Sequence, residues 1–371
     1  MSASRFINID GLRAVAALSV LFEHMLGDLL RRGSPGSGAF YLYAGRIVED
    51  FSFGRFGVVL FFLISGFVVP FSLKGDSALG CFAITRACRL YPAMWVALVM
   101  LGMLSWHDNE WPGLAVWLAN MTMAPTLFGK PWMSDIYWTL FIELVFYALI
   151  ALIYKVGMVR NVLALSAISA ALVVSTVVPS VMTSFAGVKV PLLYVGFHLS
   201  FLFSGLLIRL SLLENTRGAG GAALALCAIQ IVSIALIADL SIERADRFII
   251  GGLYPILLAY VAAFLVFGAS VVADRPRTRW LAEIGKISYS IYLFHWIVNV
   301  QVYRVRPLTG AWTDLQTMAI CVALVLALAL AVYTLVERPM ISLGHRLSGR
   351  LARRDRAQAS RDGQEYSKPS L

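Results

Sequence analysis

The chain has 371 residues, of which 59% are hydrophobic and only 14% charged, against about 25% charged in soluble domains. Mean hydropathy is +0.78. That much apolar surface cannot be hidden in a water-soluble fold of this length, and the same numbers exclude disorder and a collagen-like rod. The 31 Lys and Arg against 21 Asp and Glu leave a net charge of +10. This reads as membrane topology, since basic residues gather at the cytoplasmic edge, and not as nucleic-acid binding. Cys81, Cys88, Cys227 and Cys321 form no C-x-x-C pair, so neither a disulfide framework nor a metal site is expected.

A spanning helix needs about 20 mostly apolar residues. Ten windows meet that ruler: 10–30, 56–73, 88–106, 137–154, 160–178, 189–208, 219–239, 249–272, 286–304 and 314–336. The first is read as a retained span and not a signal peptide, because Glu23-His24 interrupts its apolar stretch and no small-residue cleavage site follows. Trp111–Leu127 reads as a re-entrant or interfacial segment. Ten spans put both termini on one side, and the cytoplasmic placement assigns 21 of the 31 basic residues to that side. The expectation is therefore an all-α polytopic protein of the inner membrane with about ten transmembrane helices and both termini cytoplasmic. Residues 1–340 form its membrane domain, and 341–371 a short basic tail without fixed structure.

Ionisable residues inside spans are expensive and mark function by default. In the first span, Arg13 and His24 are eleven residues apart, about 16 Å along a helix and within about 20° of the same direction. Asp10 and Arg13 are i,i+3 neighbours able to pair near the cytoplasmic mouth. This face reads as the wall of a polar passage; the alternative is that Arg13 anchors to headgroups while His24 caps the outer helix end. Glu143, six residues into an inward span, lies about 9 Å below the outer boundary, and His24 lies at matching depth in a core of about 30 Å. A hydrogen-bonded His24–Glu143 pair is the expectation. Glu23 competes for His24, and an interfacial glutamate beside Tyr137, Trp138 and Tyr147 is the plainer reading of Glu143.

On the cytoplasmic side, Arg86 and Arg89 make a paired cationic edge at what reads as the start of the third span, and guanidinium forks with free backbone N–H groups suit phosphate. Taken alone, positive-inside anchoring is the stronger reading of the pair. In the ninth span, Ser288, Tyr292 and His295 fall at i, i+4 and i+7 and give one polar face. That face serves either chemistry or hydrogen bonding between helices.

Six strings in one order resemble the acyltransferase family 3 membrane proteins: Asp10-Gly-Leu-Arg13 with His24; Gly57 to Phe67 around Ser65; Arg86-Ala-Cys-Arg89-Leu-Tyr-Pro92; Trp138-Thr-Leu-Phe-Ile-Glu143; Ser288-Tyr-Ser-Ile-Tyr-Leu-Phe-His295; and Glu337-Arg-Pro339. The resemblance implies transfer of an acyl group, commonly acetyl, from cytoplasmic acyl-coenzyme A to a hydroxyl of a glycan, a lipid-linked sugar or a small secreted metabolite. It makes acyl-CoA a co-substrate and not a resident cofactor, and the membrane lipid the surroundings. It puts His24 at the family's essential histidine and Arg86/Arg89 at its R-x-x-R motif. Any second transfer step would need a partner, such as polysaccharide-assembly proteins.

Together these readings predict coenzyme phosphates at Arg86, Arg89 and Arg13, and His24 supported by Glu143 as general base or covalent relay. Asp10, Ser65, Trp138, Ser288, Tyr292 and His295 would line the passage. Loops 31–55, 107–136 and 240–248 would select the acceptor. The rival function is a secondary transporter with His24, Glu143 and His295 as a proton relay.

Overall fold

A computed structural model describes residues 3–33, 38–75, 77–187, 194–243, 252–273 and 279–366. The described chain is helical throughout. Its α-helices are α1 (Ala3–Arg32), α2 (Ala39–Asp50), α3 (Phe53–Val68), α4 (Ala78–His107), α5 (Leu114–Met121), α6 (Trp138–Lys155) and α7 (Val162–Ala186). They continue with α8 (Val195–Leu212), α9 (Ala219–Glu243), α10 (Leu253–Val272), α11 (Arg279–Lys286), α12 (Ser288–Val305), α13 (Asp314–Val332) and α14 (Arg338–Tyr366).

Each of the ten apolar windows falls on a helix, and eight of these helices are long and apolar enough to cross a membrane. The other two, α1 and α12, have 30 and 18 residues. Length suffices; the polar residues they carry lower their hydropathy. The Trp111–Leu127 segment holds only the eight-residue α5 and a 3-10 turn, too short to span. Residues 189–193 and 249–251 of the sixth and eighth windows, and 244–248 of the third loop, lie outside the described residues.

The chain divides into two compact units. The first comprises Met1–Val68 and Ile136–Ala329. Within it α1 packs against α3, α11 and α12, and α3 against α8. Where α3 crosses α8 the backbones touch. A Cβ on Gly66 would stand 1.7 Å from the Leu202 carbonyl oxygen, and one on Gly205 would stand 2.1 Å from that of Leu63. Small residues at such crossings let helices pack in lipid, where no hydrophobic force drives them together. Gly285 does the same at the junction of α11 and α12, where a Cβ would meet the Asp10 carbonyl oxygen at 1.8 Å. The Glu23 carboxylate on α1 accepts from the Phe53 backbone N–H at 3.0 Å and the Ser52 hydroxyl at 3.5 Å. A side chain of one helix thus caps the positive end of another.

The second unit comprises Val69–Asp135 and Leu330–Leu371, with α4 packed against α14. Here the expectation of an unstructured tail is corrected: the chain is helical to Tyr366. Ile341, Gly344, Ser348 and Leu351 recur at helical spacing and supply small and apolar contacts to α4. Gly344 sits against Cys88, Leu351 against Gly80, and the Ser348 carbonyl accepts from the Cys81 thiol at 3.4 Å. The Ser77 hydroxyl also bonds Asp355. A polar average composition concealed this narrow stripe.

Candidate active site

The polar faces of α1 and α12 meet. His24 Nδ1 lies 2.9 Å from His295 Nε2, and the two rings stack with centroids 4.9 Å apart. His295 Nδ1 faces two backbone carbonyls, those of Tyr292 at 2.7 Å and Ile291 at 3.2 Å. Carbonyl oxygens only accept, so Nδ1 of His295 carries the proton and, in the neutral ring, Nε2 must accept. His24 Nδ1 is then the donor, which leaves the lone pair of His24 on Nε2. His295 is fully buried, whereas His24 is partly exposed. Trp296 stands edge-on to His24 at 5.6 Å, and the Arg31 guanidinium covers the Trp296 ring at 5.7 Å.

The expected His24–Glu143 bond is not formed. Glu143 accepts from the Ser65 hydroxyl at 3.3 Å and from the Tyr147 phenol, so Ser65 and Glu143 come together but without the histidine. Position along a helix does not specify which way that helix is rotated. Glu23, the competing acid, is occupied at the start of α3.

The polar face of α12 divides into two uses. Tyr292 is buried and donates to the Ile136 carbonyl, so the Thr139 hydroxyl must donate to it, at 2.7 Å. The Tyr137 phenol donates to the Leu293 carbonyl at 3.1 Å. These bonds fasten α12 to the start of α6, which makes Tyr292 a link between helices and corrects its reading as a passage wall. Ser288 is likewise buried. Trp138 stacks edge-on against His198 at 4.6 Å and approaches Phe62.

Asp10 and Arg13 form the expected i,i+3 ion pair at 2.7 Å. The arginine pair of the second unit differs from expectation. Helix α4 begins at Ala78 and runs through Pro92, so Arg86 and Arg89 project from its third turn and beyond, where backbone N–H groups are already used. Any phosphate there would be held by guanidinium groups alone. Arg86 lies over the Phe82 ring at 5.4 Å, and both arginines are half-buried. The same unit holds a single π-turn, Tyr333–Glu337, ending on the buried Glu337; such turns often mark functional positions.

Three side chains beside the histidines escaped the sequence reading: Asp28, Trp296 and Asn299. The signal was present as spacing. His24 and Asp28 are four apart on α1, as His295 and Asn299 are on α12.

No solved structure matches the chain. Among curated proteins, Nodulation protein 10 of Rhizobium leguminosarum bv. viciae is 29% identical over 170 residues, covering 40% of this chain and 44% of that protein. The chain thus spans less than half the length of that relative. The sequence profile of acyltransferase family 3, described as an acyltransferase domain, matches residues 6–336. That match runs through nearly every helix described above, and the chain belongs to this family of membrane acyltransferases.

Proposed function

We propose that the protein transfers an acetyl group from cytoplasmic acetyl-CoA to a hydroxyl of a glycan, lipid-linked sugar or small secreted metabolite. In this reading all ten helices cross the inner membrane and both termini are cytoplasmic. The observation that carries it is the histidine pair: His295, locked by two carbonyls, orients His24 and leaves Nε2 as the basic nitrogen. Nε2 takes the proton of the acceptor hydroxyl as its oxygen attacks the thioester carbonyl. The C–S bond then breaks, and the leaving thiolate takes that proton from His24. The coenzyme phosphates are the ligand of Arg86 and Arg89. His295 replaces Glu143 as the orienting partner, and Asp10 holds Arg13.

The test is mass spectrometry of surface glycans and secreted metabolites from cells expressing wild-type or His24→Ala protein. An acetyl-sized increment that needs His24 identifies acceptor and donor group together. Full transfer by His24→Ala sinks the reading.

A further inference from the structure

Helices α1 and α12 lie side by side in constant register. His24 bonds His295, and two turns on Arg32 lies over the Tyr303 ring at 5.9 Å; the register set by these two contacts brings Asp28 level with Asn299 between them. Each pairing has the same offset of 271 residues, so the helices run parallel. Among the described residues, the middle rung differs from the first in leaving several buried polar atoms unsatisfied, and in the third the Tyr303 hydroxyl is unsatisfied too. Asp28 and Asn299 are 2% and 0% exposed, yet Asp28 Oδ2 and both amide atoms of Asn299 have no hydrogen-bond partner among the described residues. Asp28 Oδ1 is taken by Arg31 at 2.8 Å. Buried polar atoms are nearly always paired, and unpaired ones call for a missing partner.

The chemistry of that partner follows from the three atoms. A carboxylate oxygen and an amide oxygen accept, and the amide nitrogen donates. One water oxygen cannot meet both ends of the Asn299 amide with straight bonds. Two hydroxyls on neighbouring carbons can: one donates to Asp28 and accepts from Asn299 Nδ2, while the other donates to Asn299 Oδ1. The position is one helical turn, about 6 Å, from the histidines. Arg31, more than half exposed, bridges the other Asp28 oxygen and the Trp296 ring and closes the position.

We infer that Asp28 and Asn299 form a subsite for a vicinal diol of the acceptor, setting one acceptor hydroxyl beside His24. This rests on the reading of His24 above, and the test separates the two. Full-length protein in nanodiscs is given acetyl-CoA, and coenzyme A release is followed with cis-1,2-cyclohexanediol or cyclohexanol as acceptor. One extra hydrogen bond predicts a diol preference of about fivefold in wild type. Asp28→Asn and Asn299→Leu should each bring that preference close to one.

Asn299→Leu replaces an unpaired buried amide with an apolar side chain of similar size, so it should melt no lower than wild type, and a lost preference is then not a folding defect. A wild-type preference near one, as expected for a site holding water only, overturns the subsite, as does a preference that survives both substitutions. Release that survives His24→Ala overturns the base assignment instead, while the preference still reports on Asp28 and Asn299.

Discussion

Two helix seams in the first unit use opposite means. Between α3 and α8 the closest contact is backbone on backbone, made by Gly66 and Gly205, with one polar side chain, that of Arg209, donating across the end of the seam to the Phe67 carbonyl at 3.1 Å. Between α1 and α12 the contact is made by large polar side chains: two imidazoles, an acid, an amide, a guanidinium and a phenol. A glycine seam has one function, close packing, and it reaches an optimum that any added atom spoils. A polar seam inside an apolar protein is a poor way to gain stability, because each desolvated group must be compensated. On the function proposed above, the chemistry lies in the seam that is costly to build and the scaffold in the one that is not.

Substitutions can break or sharpen this contrast. The largest effect belongs to the scaffold. Gly66→Ala puts a methyl group onto the Leu202 carbonyl and should exceed the roughly 1–3 kcal/mol usual for overpacking, seen as little monodisperse protein after detergent extraction. In the polar seam, His24→Ala should lower coenzyme A release and transfer by about 100- to 10,000-fold while the melting temperature holds. Next comes His295. His295→Leu should cost about 10- to 100-fold, the range in which orienting partners act, whereas His295→Gln keeps an acceptor for His24 Nδ1 and should retain more activity. Equal losses in the two would show that orientation is not what His295 supplies. The smallest effect is expected at Glu143→Gln, whose amide oxygen still accepts from Ser65 or Tyr147. A change of less than about threefold fits a residue outside the acid–base pair. A loss as large as that of His24→Ala would return Glu143 to the role of the histidine's partner.

Much of the fold was legible because spanning helices announce themselves by long apolar runs, and local pairs such as Asp10–Arg13 follow from helix geometry alone. The partner of His24 was not. Depth in the bilayer can be counted along one helix, but the azimuth of another helix depends on packing that no single segment encodes. Glu143 faces Ser65 and Tyr147; His295 faces the histidine. The start of α4 lies at Ala78, ten residues before the apolar window at 88, because a window of about 20 apolar residues marks a span and not the turns that lengthen a helix beyond it. The helical tail was missed because only four positions in each three turns need to be small or apolar when the neighbour is a single helix.

The shared register of α1 and α12 has a consequence for how this protein can vary. The three rungs hang on two uninterrupted four-residue spacings, one on each helix. Inserting or deleting one residue between His24 and Asp28 would rotate everything beyond it by about 100°, turning Asp28 and Arg32 away from Asn299 and Tyr303 while the histidines stay joined. Individual side chains in the rungs can be exchanged by point mutation, but the distance between them cannot be changed on one helix without the same change on the other. Along this seam the chain tolerates new letters far more readily than a new length.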